Sequence, residues 1–177
     1  MSRIARIKVD GEAACYHVYG RIASFKGDYA LAKPLCRKTL IDTLKHYASG
    51  YCCEVAAFNI VGSHYHAILK FEAYRKLTQE ELRKRASLLY PNSSCELDDW
   101  KPEQWDRFGE RVFDLSEFMR NVHSYFARFF NKTFFRHGKF WADRFKSTLL
   151  ENDKSLLDCM LYLDFCKVKK LMSQWVF

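Results

Sequence analysis

Short stretches of the chain alternate between hydrophobic and polar residues or are rich in β-formers, which is typical of strands. They cover residues 3–9 and 15–23 near the N-terminus, and residues 54–61 and 64–71 in the middle. The two central stretches are separated only by Gly62 and Ser63, and a two-residue connection with a glycine suits a β-hairpin. The pattern therefore predicts an early sheet and a central hairpin.

Three longer stretches carry apolar residues at helical spacing. The first ends before Gly50, a residue type that commonly terminates helices. The second begins at Asp114 with Glu117 three residues later, an arrangement that caps helix N-termini. The predicted helices span residues 34–48, 114–131 and 154–171, with a loop over 132–147 and a short strand over 146–151 before the last one.

The stretch from about 72 to 110 is polar, charged and interrupted by prolines, which predicts an insertion with short helices outside the core. The order strand, helix, hairpin, insertion, helix, strand, helix predicts an α+β fold: an antiparallel sheet with helices packed on one face. With 177 residues the chain is long enough for one domain with its own core, so a single domain over residues 1–177 is expected.

The charge of the chain indicates a polyanionic partner. Lys and Arg number 29 against 21 Asp and Glu, which gives a net charge of +8. Aromatic residues make up 16% of the chain, and in the C-terminal half many alternate with Lys or Arg, a combination that suits phosphate contacts and base stacking. An aromatic core with a solvated basic rim would give the same composition.

Several features favour a cytoplasmic protein. No apolar run approaches the roughly 20 residues that cross a bilayer, and the charged N-terminus lacks the apolar region of an export signal. The seven cysteines are irregularly spaced, so a disulfide framework is not expected. No membrane partner is predicted.

His64-Tyr65-His66 begins the second strand of the predicted hairpin. Residues i and i+2 of a strand point to the same face, so the two imidazoles can serve one divalent cation. A satisfied pair of core or surface histidines is the alternative. Zinc would normally require another His or Cys nearby, whereas Mg²⁺ or Mn²⁺ would take oxygen ligands from a phosphate substrate.

The run Asn59-Ile-Val-Gly-Ser-His64-Tyr65-His66-Ala-Ile-Leu resembles the His-hydrophobic-His strand of the HUH single-tyrosine transposases, especially the REP-associated tyrosine transposases. Arg3-Ile-Ala-Arg-Ile and residues 118–131 and 138–147 extend the resemblance over nearly the whole chain. It implies a ferredoxin- or RRM-like HUH fold, single-stranded or hairpin DNA as substrate, and a homodimer.

The resemblance also implies the site residues. In the run Tyr162-Leu-Asp-Phe-Cys166-Lys-Val168, Tyr162 matches the nucleophile that forms a 5′-phosphotyrosine, with Tyr125 as the fallback. His64 and His66 would hold Mg²⁺ or Mn²⁺. Cys166 stands where the family often has an Asn or Gln that contributes to the metal site, so a metal centre impaired by the loss of this ligand is the alternative.

Two other functions stay open at this stage. One is a hairpin-binding protein that kept the fold and lost cleavage through the change at Cys166. The other is an unrelated metal phosphoesterase that uses the histidine pair without a covalent tyrosine. The absence or presence of a protein–DNA adduct separates these from a transposase.

Basic and aromatic residues around the predicted loop are the candidates for DNA contact. The expected phosphate-binding residues are Arg3, Arg6, Arg128, Lys139, Arg144 and Lys146. Phe134, Phe140 and Trp141 are the candidates for base stacking, although Trp141, like Phe145, is better interpreted as a core residue.

Overall fold

Four antiparallel strands form one sheet in the order β2-β3-β1-β4. The structure is a computed structural model that describes residues 11–23, 29–92 and 97–173, and for residues 164–173 the backbone alone. The strands are β1 (Ala14–Arg21), β2 (Cys53–Val61), β3 (His64–Phe71) and β4 (Lys146–Leu150). The predicted hairpin is confirmed, with Gly62 and Ser63 as its turn between β2 and β3.

Five helices of the described residues surround this sheet, together with a short 3₁₀ turn at Ala30–Ala32. They are α1 (Pro34–Gly50), α2 (Gln79–Leu89), α3 (Pro102–Arg111), α4 (Leu115–Thr133) and α5 (Asp153–Ser173). The predicted α+β class is confirmed. None of the described helices has the length and apolar character needed to cross a bilayer. The extended segment predicted at 3–9 lies outside the described residues.

One face of the sheet carries the main core. Every second residue of β1 is buried, and Val18 is fully inaccessible, as are Tyr65 and Leu69 of β3. Phe118 and Phe126 of α4 belong to the same buried cluster. Burying each of these large side chains contributes about 1.5–3 kcal/mol, so the apolar face of α4 fixes the helix against the sheet.

Helix α5 departs from the predicted arrangement, because it lies on the opposite face of the sheet. It contacts β2 and β4, and its Leu163 carbonyl accepts a hydrogen bond from the Asn59 side chain of β2 at 2.9 Å. This face of the sheet carries half-buried His17, Tyr19 and His64 and buried His66 rather than an unbroken apolar surface. The local pattern therefore did not show that a helix covers them.

The prediction that the 72–110 segment lies outside the core is wrong. Leu82 and Ala86 of α2 and Trp105 and Phe108 of α3 are buried in the same cluster as the sheet residues. The charged residues that make the segment look like an insertion occupy the outer faces of two amphipathic helices. Few apolar positions per turn are enough to anchor a helix when they share one face.

Candidate active site

Two neighbouring strands bring a group of histidines onto the face that α5 covers. Across the β1–β3 pair, Tyr19 lies opposite His66 and Arg21 lies opposite His64. Residues that face each other across antiparallel strands point to the same side of the sheet, as do residues two apart on one strand. His17 therefore shares this face with the His64–His66 pair.

The two predicted metal ligands are adjacent, with ring centroids 5.3 Å apart and nearly perpendicular planes. The Nδ1 atom of His64 is 3.2 Å from the Ser63 hydroxyl, and the Nδ1 atom of His66 is 2.9 Å from Nε2 of His17. Because Nδ1 makes the hydrogen bond in both rings, Nε2 is the nitrogen that can bind a cation. Such bonds to the second nitrogen are what orient metal-binding histidines in proteins.

The rings of His17 and His66, which share this hydrogen bond, have centroids 5.1 Å apart and planes inclined by only 12°. A metal ion can bind His66 at Nε2 only when the proton of that ring is on Nδ1. That proton then points at Nε2 of His17, which accepts the hydrogen bond. By accepting this hydrogen bond, His17 stabilises the tautomer of His66 that metal binding requires.

All three imidazoles are held in the uncharged form that binds cations. Burial lowers the pKa of His17 and of His64 below the ordinary value for histidine. Burial also lowers the pKa of His66 to about 4, and its neighbours His17 and His64 lower it further. Neutral imidazoles at physiological pH keep the lone pairs that a divalent ion needs.

The residues fit a metal ion incompletely. No three His, Cys, Asp or Glu side chains within the described part of the chain are grouped closely enough to hold one. His64 and His66 therefore account for two coordination positions. The side chains of Asp164 and Cys166 lie outside the described residues, and phosphate or water oxygens are the ligands that Mg²⁺ ordinarily adds.

Tyr162, the predicted nucleophile, lies beside this histidine pair. Its ring centroid is 6.0 Å from that of His66, with the planes almost perpendicular, and its side chain is 52% exposed. The next residue, Leu163, receives the buried hydrogen bond from Asn59, which lies opposite His66 in the β2–β3 register. The fold thus brings Tyr162 and the histidine pair together within one chain.

The fallback nucleophile lies elsewhere. Tyr125 belongs to α4 on the other side of the sheet, where its ring packs against Tyr47 of α1. Arg128 is exposed on the same helix. Neither residue is on the face that carries the histidine pair, so the structure does not assemble Tyr125 with the predicted metal ligands.

The other predicted DNA-binding residues are distributed over two surfaces. Arg144 and Lys146 line a recess of about 90 Å³ with Tyr19 and Arg21, directly beside the histidine pair. Lys139 lines a larger cleft of about 760 Å³ between α4 and the loop that precedes β4. Arg3 and Arg6 lie outside the described residues.

Two of the predicted stacking residues are unavailable for that role. Phe140 and Trp141 are only 6% and 9% exposed and belong to the core, which Phe145 also joins. The Trp141 ring stacks on His123 at 4.0 Å. The prediction of Phe140 as a platform is therefore wrong, and the core interpretation of Trp141 and Phe145 is confirmed.

Three residues at the site were not singled out from the sequence: His17, Tyr19 and Asn59. The spacing His17, Tyr19, Arg21 already indicates that these residues share one strand face. What the sequence does not give is the pairing of β1 with β3, and only this pairing places that face beside His64 and His66.

A solved structure of a REP-associated tyrosine transposase bound to a REP hairpin has a similar fold, with a TM-score of 0.63. The two chains share one fold. The alignment covers 96% of this chain and 74% of the transposase, at 14% sequence identity. No protein-family model matches the chain, and no curated protein matches it either. At this identity the likeness to the transposase establishes the fold, and the chemistry has to be argued from the side chains.

Proposed function

We propose that this protein is a DNA transposase that cuts and rejoins single-stranded DNA near a hairpin, with Tyr162 as nucleophile. The observation that carries the proposal is the position of Tyr162, half-exposed and against the ring of His66. The fold shared with a hairpin-bound REP-associated tyrosine transposase supports the same class of substrate. The net charge of +8 agrees with a polyanionic partner.

In the proposed reaction the Tyr162 phenolic oxygen attacks a phosphorus atom of the DNA backbone. A bond forms between that oxygen and phosphorus, and the bond from phosphorus to the 3′ oxygen breaks. The phenolic proton passes to water, and the departing 3′ oxygen takes up a proton. The product is a 5′-phosphotyrosine, which a 3′-hydroxyl can attack in the reverse sense, so rejoining needs no nucleotide cofactor.

His64 and His66 would hold Mg²⁺ or Mn²⁺ through their Nε2 atoms. A tyrosine phenol is mostly protonated at neutral pH, and a cation at the scissile phosphate offsets the charge that builds on its nonbridging oxygens. Ser63 and His17 orient the two imidazoles through their Nδ1 atoms. The remaining ligands would come from α5, from water or from the phosphate.

The DNA backbone would enter along the recess beside the histidines. Arg144 and Lys146 are exposed there, and Arg21 lines the same recess with one ion pair to Asp143 at 3.4 Å. Arg21, Arg144 and Lys146 line the recess together with the Tyr19 ring and form a suitable surface for phosphates next to the scissile one. Contacts by Arg3, Arg6, Arg128 and Lys139 stay predictions.

A labelled hairpin oligonucleotide with a single-stranded flank tests the nucleophile. With Mg²⁺ or Mn²⁺, a label at the 3′ end should become attached to the protein, whereas a label at the 5′ end should leave with the fragment that carries a 3′-hydroxyl. Tyr162→Phe should abolish the adduct, and Tyr125→Phe is the matched control that should retain it. An adduct that survives in Tyr162→Phe contradicts the assignment.

A hairpin-binding protein without cleavage activity is the second candidate. It is favoured by Cys166 at the position of the expected third ligand and by the lack of a three-residue ligand group among the described side chains. It predicts salt-sensitive DNA binding with no adduct in Mg²⁺ or Mn²⁺.

The homodimer also stays a prediction, and light scattering of the purified protein measures the oligomeric state.

A further inference from the structure

Two consecutive phenylalanines after α4 occupy opposite environments. The Phe134 ring packs against Phe130 at 4.6 Å, and the Lys33 ammonium lies 4.3 Å from its centroid. Phe135, in contrast, is 92% exposed. Burial of a phenylalanine ring stabilises a fold, and Phe135 gains almost none of this stabilisation in the folded chain.

The backbone at Phe135 is also unfavourable for this residue type. Its φ angle is +51°, and it is the one non-glycine residue with positive φ in the described part of the chain. It follows the C-cap of α4, where the Arg136 amide donates to the Asn131 carbonyl at 2.9 Å and closes the helix end. Glycine is the usual residue at this position because a side chain strains the left-handed conformation. Folding alone therefore favours glycine here.

The surroundings of Phe135 are cationic. Between Glu117 and Asp143 the chain contains no acidic residue. The same stretch carries five exposed basic residues, which are Arg120, Arg128, Lys132, Arg136 and Lys139. Arg120 is ion-paired to Glu117 near the start of α4, so the other four supply the charge toward the helix end that Phe135 follows. A surface of this charge attracts polyanions. An exposed aromatic ring on a strained backbone within such a surface indicates contact with a ligand.

The loop that carries Phe135 is held in place and returns to the sheet near the histidine site. The Asn131 side chain donates to the Gly138 carbonyl at 3.0 Å and spans the loop. Further on, the Ala142 amide donates to the Arg21 carbonyl at 2.9 Å, and Arg21 lies opposite His64. DNA bound at the histidine pair can thus extend along this loop.

From these observations we propose that Phe135 is a stacking platform for an unpaired nucleobase of the bound DNA. The identity of the ligand as DNA rests on the proposed function, whereas the role of the ring rests on its exposure, its backbone and its basic surroundings. Stacking on a phenylalanine face tolerates any base, so the platform contributes affinity for single-stranded DNA rather than sequence choice.

Phe135→Leu tests the ring itself, because leucine keeps an apolar side chain and the same strained backbone but has no aromatic face. Fluorescence anisotropy with a hairpin that has a single-stranded flank should show a loss of affinity of about 5- to 150-fold, the usual effect of removing one stacked base contact. Phe135→Trp should bind as tightly as the wild type. Tyr74→Leu is the matched control, since Tyr74 is 57% exposed and lies outside the basic stretch.

Two further measurements distinguish stacking from a structural or electrostatic role. Phe135→Gly should raise the thermal midpoint by about 2–4 °C while lowering affinity, because glycine relieves the strained backbone. The salt dependence of binding should keep the same slope in Phe135→Leu, since no phosphate contact is removed. A 2-aminopurine in the flank should be quenched by wild-type protein and not by Phe135→Leu.

The outcomes separate this proposal from the proposed reaction. If wild type and Phe135→Leu bind the flanked hairpin equally, the platform is refuted, whether or not the Tyr162 adduct forms. If wild type forms no adduct but binds through Phe135, the platform is supported and the reaction is refuted. If wild type fails to bind any single-stranded DNA, both are refuted.

Discussion

Asn59 is the residue that we expect to hold the Tyr162 helix in place. Its side-chain amide donates to the Leu163 carbonyl at 2.9 Å, and Asn59 itself is only 2% exposed. Helix α5 otherwise has its main contacts with β2 and β4, whereas α1 and α4 pack on the other face of the sheet. Asn59→Ala removes this bond and leaves the Leu163 carbonyl without its side-chain donor.

The magnitude follows from the burial of the bond. Leu163 lies within α5, so its carbonyl keeps its helical partner, and losing the Asn59 bond costs the net value of one hydrogen bond, about 0.5–1.5 kcal/mol. Because each 1.4 kcal/mol is a factor of about ten in an equilibrium constant, local detachment of α5 should become about 2- to 12-fold more frequent. Global stability should fall less than this if α5 detaches without unfolding the sheet.

Hydrogen exchange of the backbone amides measures this effect. In Asn59→Ala the amides of residues 156–163 should exchange faster by that factor, while those of β1 and β3 change little. Asn121→Ala is the matched control, because the Asn121 side chain donates to the Tyr51 hydroxyl at 2.6 Å on the opposite face. Equal acceleration in all elements of Asn59→Ala, or none in α5, would refute the reasoning.

Three more predictions follow from the packing around the site. Because Tyr162 meets His66 within one chain, a mixture of Tyr162→Phe and His66→Ala proteins should form no DNA adduct; recovery of activity in the mixture would show exchange between protomers. Gly20→Ala should lower the free energy of unfolding by about 1–3 kcal/mol in urea titrations, since a methyl group there would overlap the buried Tyr65 ring; a wild-type midpoint would contradict this. Burial lowers the pKa of His123 to about 3, so the unfolded chain binds more protons between pH 3 and 6.5, and stability rises as the pH rises through that window, by at most about 1.4 kcal/mol per unit; His123→Gln should flatten this slope, and an unchanged slope would count against it.

Local sequence signals were sufficient for most of the secondary structure. The Asp114 carboxylate caps α4 by accepting from the Ser116 and Glu117 amides, as its position before an apolar stripe indicates. Likewise α1 spans Pro34–Gly50, close to the predicted helix with its glycine stop. These elements are determined by contacts a few residues apart, which a pattern along the chain records directly.

Non-local pairing is what the sequence did not reveal. His17 reaches His66 only because β1 and β3 are adjacent, although the two residues are 49 positions apart. Similarly, Phe140 and Trp141 alternate with cations as a DNA-binding loop would, yet they are buried because the chain returns to the end of β1 at this point. Alternation of aromatic and basic residues does not distinguish these two outcomes.

One face of the sheet determines the stability of the domain, and the other face carries the residues of the proposed reaction. On one face Tyr65 and its neighbours are fully buried under α1 and α4, and substitutions there act on the folding of the whole domain. On the other face His17 and His66 are neutral, hydrogen-bonded to each other and covered by a single helix. A hydrogen bond between two neutral side chains contributes only about 0.5–1.5 kcal/mol, so selection for folding alone would not require this pair. Substitution of Tyr162, which is 52% exposed, should therefore change DNA chemistry with little effect on unfolding, whereas Gly20→Ala should do the reverse.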